Sequence, residues 1–331
     1  MRSPRRFWFR LLFGIAVSGV FVCLIARNLD SGEMLNSLSS VGWIYIAIAV
    51  LVLAGGYWLR LLRWHYMLAS IGSPLSLSRC AQPFFVGFAL NNLLPLRAGD
   101  VVRAVAFRRV IELPVSTVFG TLLLERLLDL VVVSAILGAG LAVYESNIAV
   151  SGELRALTEA APIIAVLALS AAGVIILGGR GRPLLKKFDS CNHVGPVGLR
   201  QRILDVLHQL VSVLWHFSHW GRMLRLFALT AAAWLAEVGV FLVMAWALRL
   251  PLSGTWISMG AGTLGTLIPA SPGHVGTFDY FAALGMRLHG VDASLAIAYA
   301  VMVHAVLWVP LTLLGVIFML LPAGAGTRDE R

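Results

Sequence analysis

The chain has 331 residues, 59% of them hydrophobic and 13% charged, with a mean hydropathy of +0.86 and a formal net charge of +10. An ordinary soluble domain is about 45–50% apolar and about 25% charged; so few charges cannot coat a water-soluble fold of this size, and a bilayer is the expected environment. The 26 Lys and Arg against 16 Asp and Glu alternate with apolar stretches and form no single basic face, which argues against nucleic acid and for a membrane surface.

Arg2, Arg5, Arg6 and Arg10 precede an apolar run to Ala26. This is the charge layout of a secretory signal, but no small-residue cleavage site follows and the chain goes on to further spans. The segment therefore reads as an uncleaved first span. A helix crosses the hydrocarbon core with about 20 mostly apolar residues, and six stretches qualify: 7–26, 43–62, 117–143, 160–178, 226–248 and 295–321. Arg60 and Arg63, with Trp58 and Trp64, read as interface anchors closing the second span. Between the second and third spans, and again between the fifth and sixth, lie shorter apolar segments: 83–94 with 100–112, and 255–268 with 276–288. Proline and glycine interrupt each, so each predicts two half-helices meeting at a break in a re-entrant hairpin; ordinary full spans are the alternative. Leu199, Ile203, Leu207, Leu210, Leu214 and Phe217 have amphipathic helical spacing, which places segment 199–220 on the inner leaflet, near Lys186 and Lys187. Cys23, Cys80 and Cys191 show neither metal-ligand nor redox spacing.

With the N-terminus inside, cytoplasmic segments hold four Lys or Arg at the N-terminus, seven between Arg60 and Arg109, eight between Arg180 and Arg225, and two at the end. External segments hold only Arg27, Arg155, Arg249 and Arg287. Positive charge gathers on the cytoplasmic side of membrane proteins, so both termini are expected in the cytoplasm of a bacterial inner membrane.

Leu94-Pro95-Leu96-Arg97-Ala98-Gly99-Asp100-Val101 lines up with Ile268-Pro269-Ala270-Ser271-Pro272-Gly273-His274-Val275 at an offset of 174. The flanking spans repeat in the same order, and three spans per half is odd, so the second half must be inverted. The predicted fold is an all-α polytopic membrane protein with six full transmembrane helices and two re-entrant half-helix hairpins in an inverted repeat. Residues 1–143 form the first half (hairpin 83–112) and 160–321 the second (hairpin 255–288). Paired breaks strand backbone polar groups that only protein or a water-filled cavity can receive, the pattern of transporter binding sites.

Charges inside spans carry the chemistry. Glu125, Arg126 and Asp129 fall within the third span, with Glu125 and Asp129 on one helix face. Arg97 and Arg103 flank the first break, near Pro95, Gly99 and Asp100, and with the free N–H groups of a half-helix they could receive phosphate. The plainer reading is an ion-pair network that locks the hairpin to Glu125 or Asp129. In the second half Pro269, Pro272, Gly273 and Gly276 form the break, and Asp279 caps the next half-helix or joins the site. Glu237 and His304 lie deep in the fifth and sixth spans, as packing residues or proton relays. No phosphate-cradling GxxxxGK[ST] loop, HExxH helix or GxSxG elbow occurs, so an ATP-driven pump is not expected, and neither a cofactor nor a metal.

Asn92 through Arg103, then Leu124-Glu125-Arg126-Leu127-Leu128-Asp129, then Pro269 through Asp279, resemble the three signature segments of the lysylphosphatidylglycerol synthase transmembrane-region, or flippase-like, family. Asp100 and Asp279 stand where that family's pattern has glutamate, and His274 where glycine is commoner. The resemblance implies movement of lipid between leaflets. Family members that aminoacylate lipid do so with a separate C-terminal domain; this sequence ends ten residues after its last span, so that activity is not expected and the chain is read as no enzyme. The expected function is a flippase or scramblase for a phosphate-bearing lipid, a phospholipid or a polyprenyl-phosphate-linked one. Its partners are the lipid, an envelope lipid or glycan enzyme, and a second copy in a homo-oligomer. The rival readings are a membrane-embedded enzyme or an accessory or structural subunit in envelope glycolipid or hopanoid synthesis.

Overall fold

The computed structural model describes residues 4–27, 39–144, 199–268 and 271–321, together with 32, 36, 166, 167 and 169–177. Among them every regular element is a helix. Helices α1 (Pro4–Ala26), α2 (Trp43–Ser70) and α3 (Leu77–Leu93) are followed by a 3₁₀ turn (Pro95–Arg97) and the short α4 (Ala98–Val105) and α5 (Arg108–Ile111). Then come α6 (Val115–Val143), α7 (Leu199–Phe217), α8 (Trp220–Ala247), α9 (Gly254–Gly265), a second 3₁₀ turn (Pro272–His274), α10 (Thr277–Arg287) and α11 (Ala293–Leu320).

Three helices, α2, α8 and α11, are long and apolar enough to cross a membrane at 28 residues each, or about 42 Å at 1.5 Å per residue against a hydrocarbon core of about 30 Å. Helix α6 matches them in length, but Glu125, Arg126 and Asp129 sit in its middle. The expected span 160–178 lies largely outside the described residues. Helix α2 runs on to Ser70, well past the expected end at residue 62, and so carries Arg60 and Arg63 into its interior.

The first break has a local cause. Pro95 disfavours helix at the residue before it, and Leu94 is extended, with φ −115° and ψ 146°. Arg97 is left-handed (φ 52°), which turns the chain so that α4 folds back on α3. The two helices touch where Gly99 meets Gly87: a side chain at Gly99 would collide with the Gly87 carbonyl and with Asn91. Beyond Val105 the chain bends again into α5, so the expected segment 100–112 is two short helices. At the second break α9 and α10 pack face to face, joined through Gly273 (φ 73°) and Gly276 (φ 86°). Pro269 lies outside the described residues.

The packing is unchanged when α2, α3, α4 and α6 are exchanged for α8, α9, α10 and α11. Helix α2 packs on α8; α3 packs on α11 as α9 packs on α6; α4 packs on α6 as α10 packs on α11. One apolar cluster centres on Phe241, Met244, Phe278 and Tyr299, and a second on Trp64, Phe84, Leu124 and Phe217. Helix α7 departs from its expected place on a lipid leaflet. Its Val213, Leu214 and Phe217 are buried in the second cluster against α6, and Ser116 donates a hydrogen bond to Gln209. Of the apolar stripe that suggested a lipid surface, Leu214 and Phe217 are covered by protein, while Leu207 stays exposed.

Candidate functional site

The charged residues of α2, α4, α6 and α8 converge. Arg63, fully buried, donates to Asp129 Oδ1 (2.7 Å) and to Thr230 Oγ1 (2.8 Å) and lies 3.3 Å from Glu125. Arg60 reaches Glu237 at 2.6 Å and stacks on Trp234 and Tyr57. Arg126 lies 3.4 Å from Asp100 and 3.5 Å from Asp129, and Trp234 Nε1 donates to Asp129 Oδ1 at 3.0 Å. Glu125 stands within 3.8 Å of Arg63, Arg103 and Arg126, yet none meets it in hydrogen-bond geometry: its carboxylate is held by charge alone. Arg60 and Arg63, expected as interface anchors, are thus core ion-pair residues. The signal that could have found them is their spacing of three on one helix face, matched by Glu125 and Asp129 spaced four apart on another.

Arg103 is also fully buried. It stacks 4.1 Å from the Trp64 ring centroid and lies 3.7 Å from both Glu125 and Asp100. It does not line the cavity described next, so it fastens α4 to α6 and is not placed to meet a ligand. The N-terminus of α4 is likewise occupied. Asn91 accepts the Asp100 N–H at 3.2 Å and donates to the Asp100 carboxylate at 3.0 Å. Asp100 also faces Arg126 and is therefore a network residue.

Between the two breaks lies a cavity of about 170 Å³. Arg97, Arg126, Gly273, His274, His304 and Trp308 form the part of its wall that bears on chemistry, and Arg60, Asp129 and Glu237 add further charge to the lining. Pro95, Gly99, Pro272 and Gly276 shape the breaks without lining it. Among the described residues Arg97 forms neither hydrogen bond nor ion pair. The nearest carboxylates are already taken: Asp100 by Arg126 and Arg103, Asp129 by Arg63 and Arg126. Among the described residues Trp308 Nε1 and His274 Nδ1 are buried without partners, and a buried polar group left unpaired costs about 1–3 kcal/mol. At the second break, Asp279 accepts the Gly276 N–H through Oδ2 at 2.9 Å and meets His304 Nδ1 through Oδ1 at 2.9 Å. The other ring nitrogen of His304 lies 2.9 Å from the Gly273 carbonyl. Asp279 is thus both the helix cap and a member of the site.

Five arginines (Arg60, Arg63, Arg97, Arg103 and Arg126) face four carboxylates (Asp100, Glu125, Asp129 and Glu237) in and around this cavity. Asp279 is a fifth carboxylate, set against His304; with that pair counted as neutral, one positive charge is left over, and it belongs to Arg97. Among the described residues no group of His, Cys, Asp and Glu has metal-binding geometry.

Two curated relatives bear on this site. The chain is 24% identical to a UPF0104 membrane protein of Methanothermobacter thermautotrophicus over 344 residues, covering 98% of this chain and 96% of that one. It is 24% identical over 332 residues to a protein of Haloferax volcanii named glycosyltransferase AglD, covering 89% of this chain and 52% of AglD. The chain thus spans about half of AglD's length. This second similarity corrects the expectation that the chain is no enzyme: a protein 24% identical over 89% of the chain is named as one, so missing soluble catalytic motifs do not exclude an enzymatic role. Residues 11–315 match the lysylphosphatidylglycerol synthase TM region family, and with its apolar helices and Arg97-bearing break the chain is a membrane protein that belongs to that family.

Proposed function

We propose that the chain moves a phosphate-bearing lipid between membrane leaflets, with the phosphate seated at Arg97. The observation that carries this reading is the surplus charge. A half-buried guanidinium with no counter-charge among the described residues carries a desolvation cost, and an anion accepting from it relieves that cost. The partnerless Trp308 Nε1, on the opposite break, is a second donor for the same anion. A phosphodiester carries one negative charge and matches the surplus one for one. The packing pattern that survives exchange of the two halves supports an inverted repeat with two re-entrant hairpins. The headgroup enters the cavity while the chains stay in lipid, and alternate opening of the two breaks passes it across. We place both termini in the cytoplasm, with six full spans.

The test is leaflet exchange in proteoliposomes, using fluorescent phosphatidylglycerol, phosphatidylcholine and a polyprenyl phosphate. Exchange of an anionic lipid above protein-free vesicles is expected; background rates for every lipid class would sink the proposal.

The similarity to AglD favours a second reading, in which the site serves glycosyl transfer to or from a lipid phosphate. The paired Arg60 and Glu237 on the cavity wall, with Asn92 beside them, suit hydrogen bonds to sugar hydroxyls. Formation of a glycosylated polyprenyl phosphate by the purified chain from a nucleotide sugar would favour it, and leaflet exchange with no product would count against it.

A further inference from the structure

His304 lies between two groups that can accept a hydrogen bond. Nε2 faces the Gly273 carbonyl, which can only accept, so that contact needs a proton on Nε2. Nδ1 faces the Asp279 carboxylate at 2.9 Å. The contact is a hydrogen bond only if a second proton lies in it, on the ring or on the acid. With one proton fewer, the remaining ring N–H serves one acceptor and the other contact opens; the charged carboxylate is the stronger acceptor, so the Gly273 contact is the one lost. Arginines already neutralise Glu125, Asp129 and Glu237, which leaves His304 and Asp279 as the acid–base pair that touches a break.

We infer that His304 and Asp279 form a proton-binding site whose occupancy is linked to the anion at Arg97, so that one proton and one lipid phosphodiester bind together. The inference rests on the anion reading above. With its proton the pair is neutral, and the cavity keeps the surplus of Arg97. Without it the pair bears one negative charge, the surplus is cancelled, and a second anion is repelled. Among the described residues, the other charged or titratable groups around the cavity are His274 on the second break, Arg97 on the first, Tyr57, and, across the cavity, Arg60, Glu237, Arg126 and Asp129. The last four are paired among themselves or with Arg63, so their charges do not change between the two states. His274 interacts electrostatically with both Arg97 and His304. Loss of the proton also frees His304 from the Gly273 carbonyl, within the second 3₁₀ turn, so the charge change is delivered to the break that must move.

The test is isothermal titration of the full chain in phosphatidylcholine nanodiscs with dihexanoylphosphatidylglycerol, whose phosphodiester does not titrate near neutrality. Titration in buffers of different ionisation enthalpy counts protons. Uptake of about one proton per anion is expected once pH exceeds that at which the free pair deprotonates. Apparent affinity should then fall about tenfold per pH unit. Uptake should vanish in His304→Gln and in Asp279→Asn. Binding with no uptake and a flat affinity between about pH 5 and pH 9 would overturn this inference and leave the anion site intact. Uptake unchanged in both variants would overturn the residue assignment. No binding at any pH would overturn the anion site itself, and this inference with it.

Discussion

Arg63 reaches three groups on two other helices, Glu125 and Asp129 on α6 and Thr230 on α8, and has no exposed surface. Removing one member of such a buried set leaves the others charged and unpaired, a loss of about 3–5 kcal/mol. Arg63→Leu should therefore lower the thermal unfolding midpoint in detergent sharply. Arg63→Lys, which keeps the charge but not the planar fork, should fall between it and the wild type. Arg97→Ala should leave the midpoint unchanged or raise it, because Arg97 has no ion partner to strand. A large loss of stability in Arg97→Ala, measured by the same unfolding curve, would contradict the partnerless assignment. The sequence told little of this division of labour. Arg60, Arg63, Arg97 and Arg103 all lie beside apolar runs, and linear proximity to a span end looks the same whether the side chain snorkels outward or turns into the core. Only the packing of α2 against α8 decides it.

At the scale of elements, the breaks were legible because proline and glycine leave a local mark that needs no tertiary contact. Pro95 and Arg97 set the backbone of the first, and Gly273 and Gly276 that of the second. The close approach of α3 and α4 at Gly87 and Gly99 was not legible, since it depends on which helix the chain folds back upon. Gly99→Ala should cost about 1–3 kcal/mol or more through overpacking and weaken the Asn91–Asp100 bonds. Gly138→Ala on α6, where an added Cβ meets nothing within 4 Å, should be neutral or slightly stabilising. Equal midpoints for the two variants would show that α3 and α4 are not tightly apposed. Helix α7 was misplaced for a related reason: an amphipathic stripe states that an apolar surface is needed and not which one. Val213 and Phe217 find that surface on protein.

Across the whole molecule, the charge bias that orients the chain must be reread, because four of the seven basic residues counted between Arg60 and Arg109 belong to the buried network or the cavity. The eight between Arg180 and Arg225 still outnumber the external ones. With cytoplasmic termini, the α2–α3 turn faces the cytoplasm and the α8–α9 turn the outside. In a chain whose native cysteines are replaced by serine, Ser76→Cys should react with an impermeant maleimide only in inverted vesicles, and Leu252→Cys only in right-side-out ones. Labelling of both from one side would refute the inverted arrangement. The exchange of packing partners between halves is the feature from which we propose two equivalent ways to open around one site, with the charge of Arg97 selecting the ligand.

The central claim, that an unpaired arginine between two breaks carries a lipid phosphate across the membrane, is tested most directly by comparing leaflet exchange of fluorescent phosphatidylglycerol in vesicles holding wild-type or Arg97→Ala protein at equal folded density. Exchange by the wild type, reduced about tenfold or more in Arg97→Ala by loss of a charge-assisted bond worth about 1.5–3 kcal/mol, is the predicted result. Exchange that proceeds at the same rate without Arg97 would contradict the account.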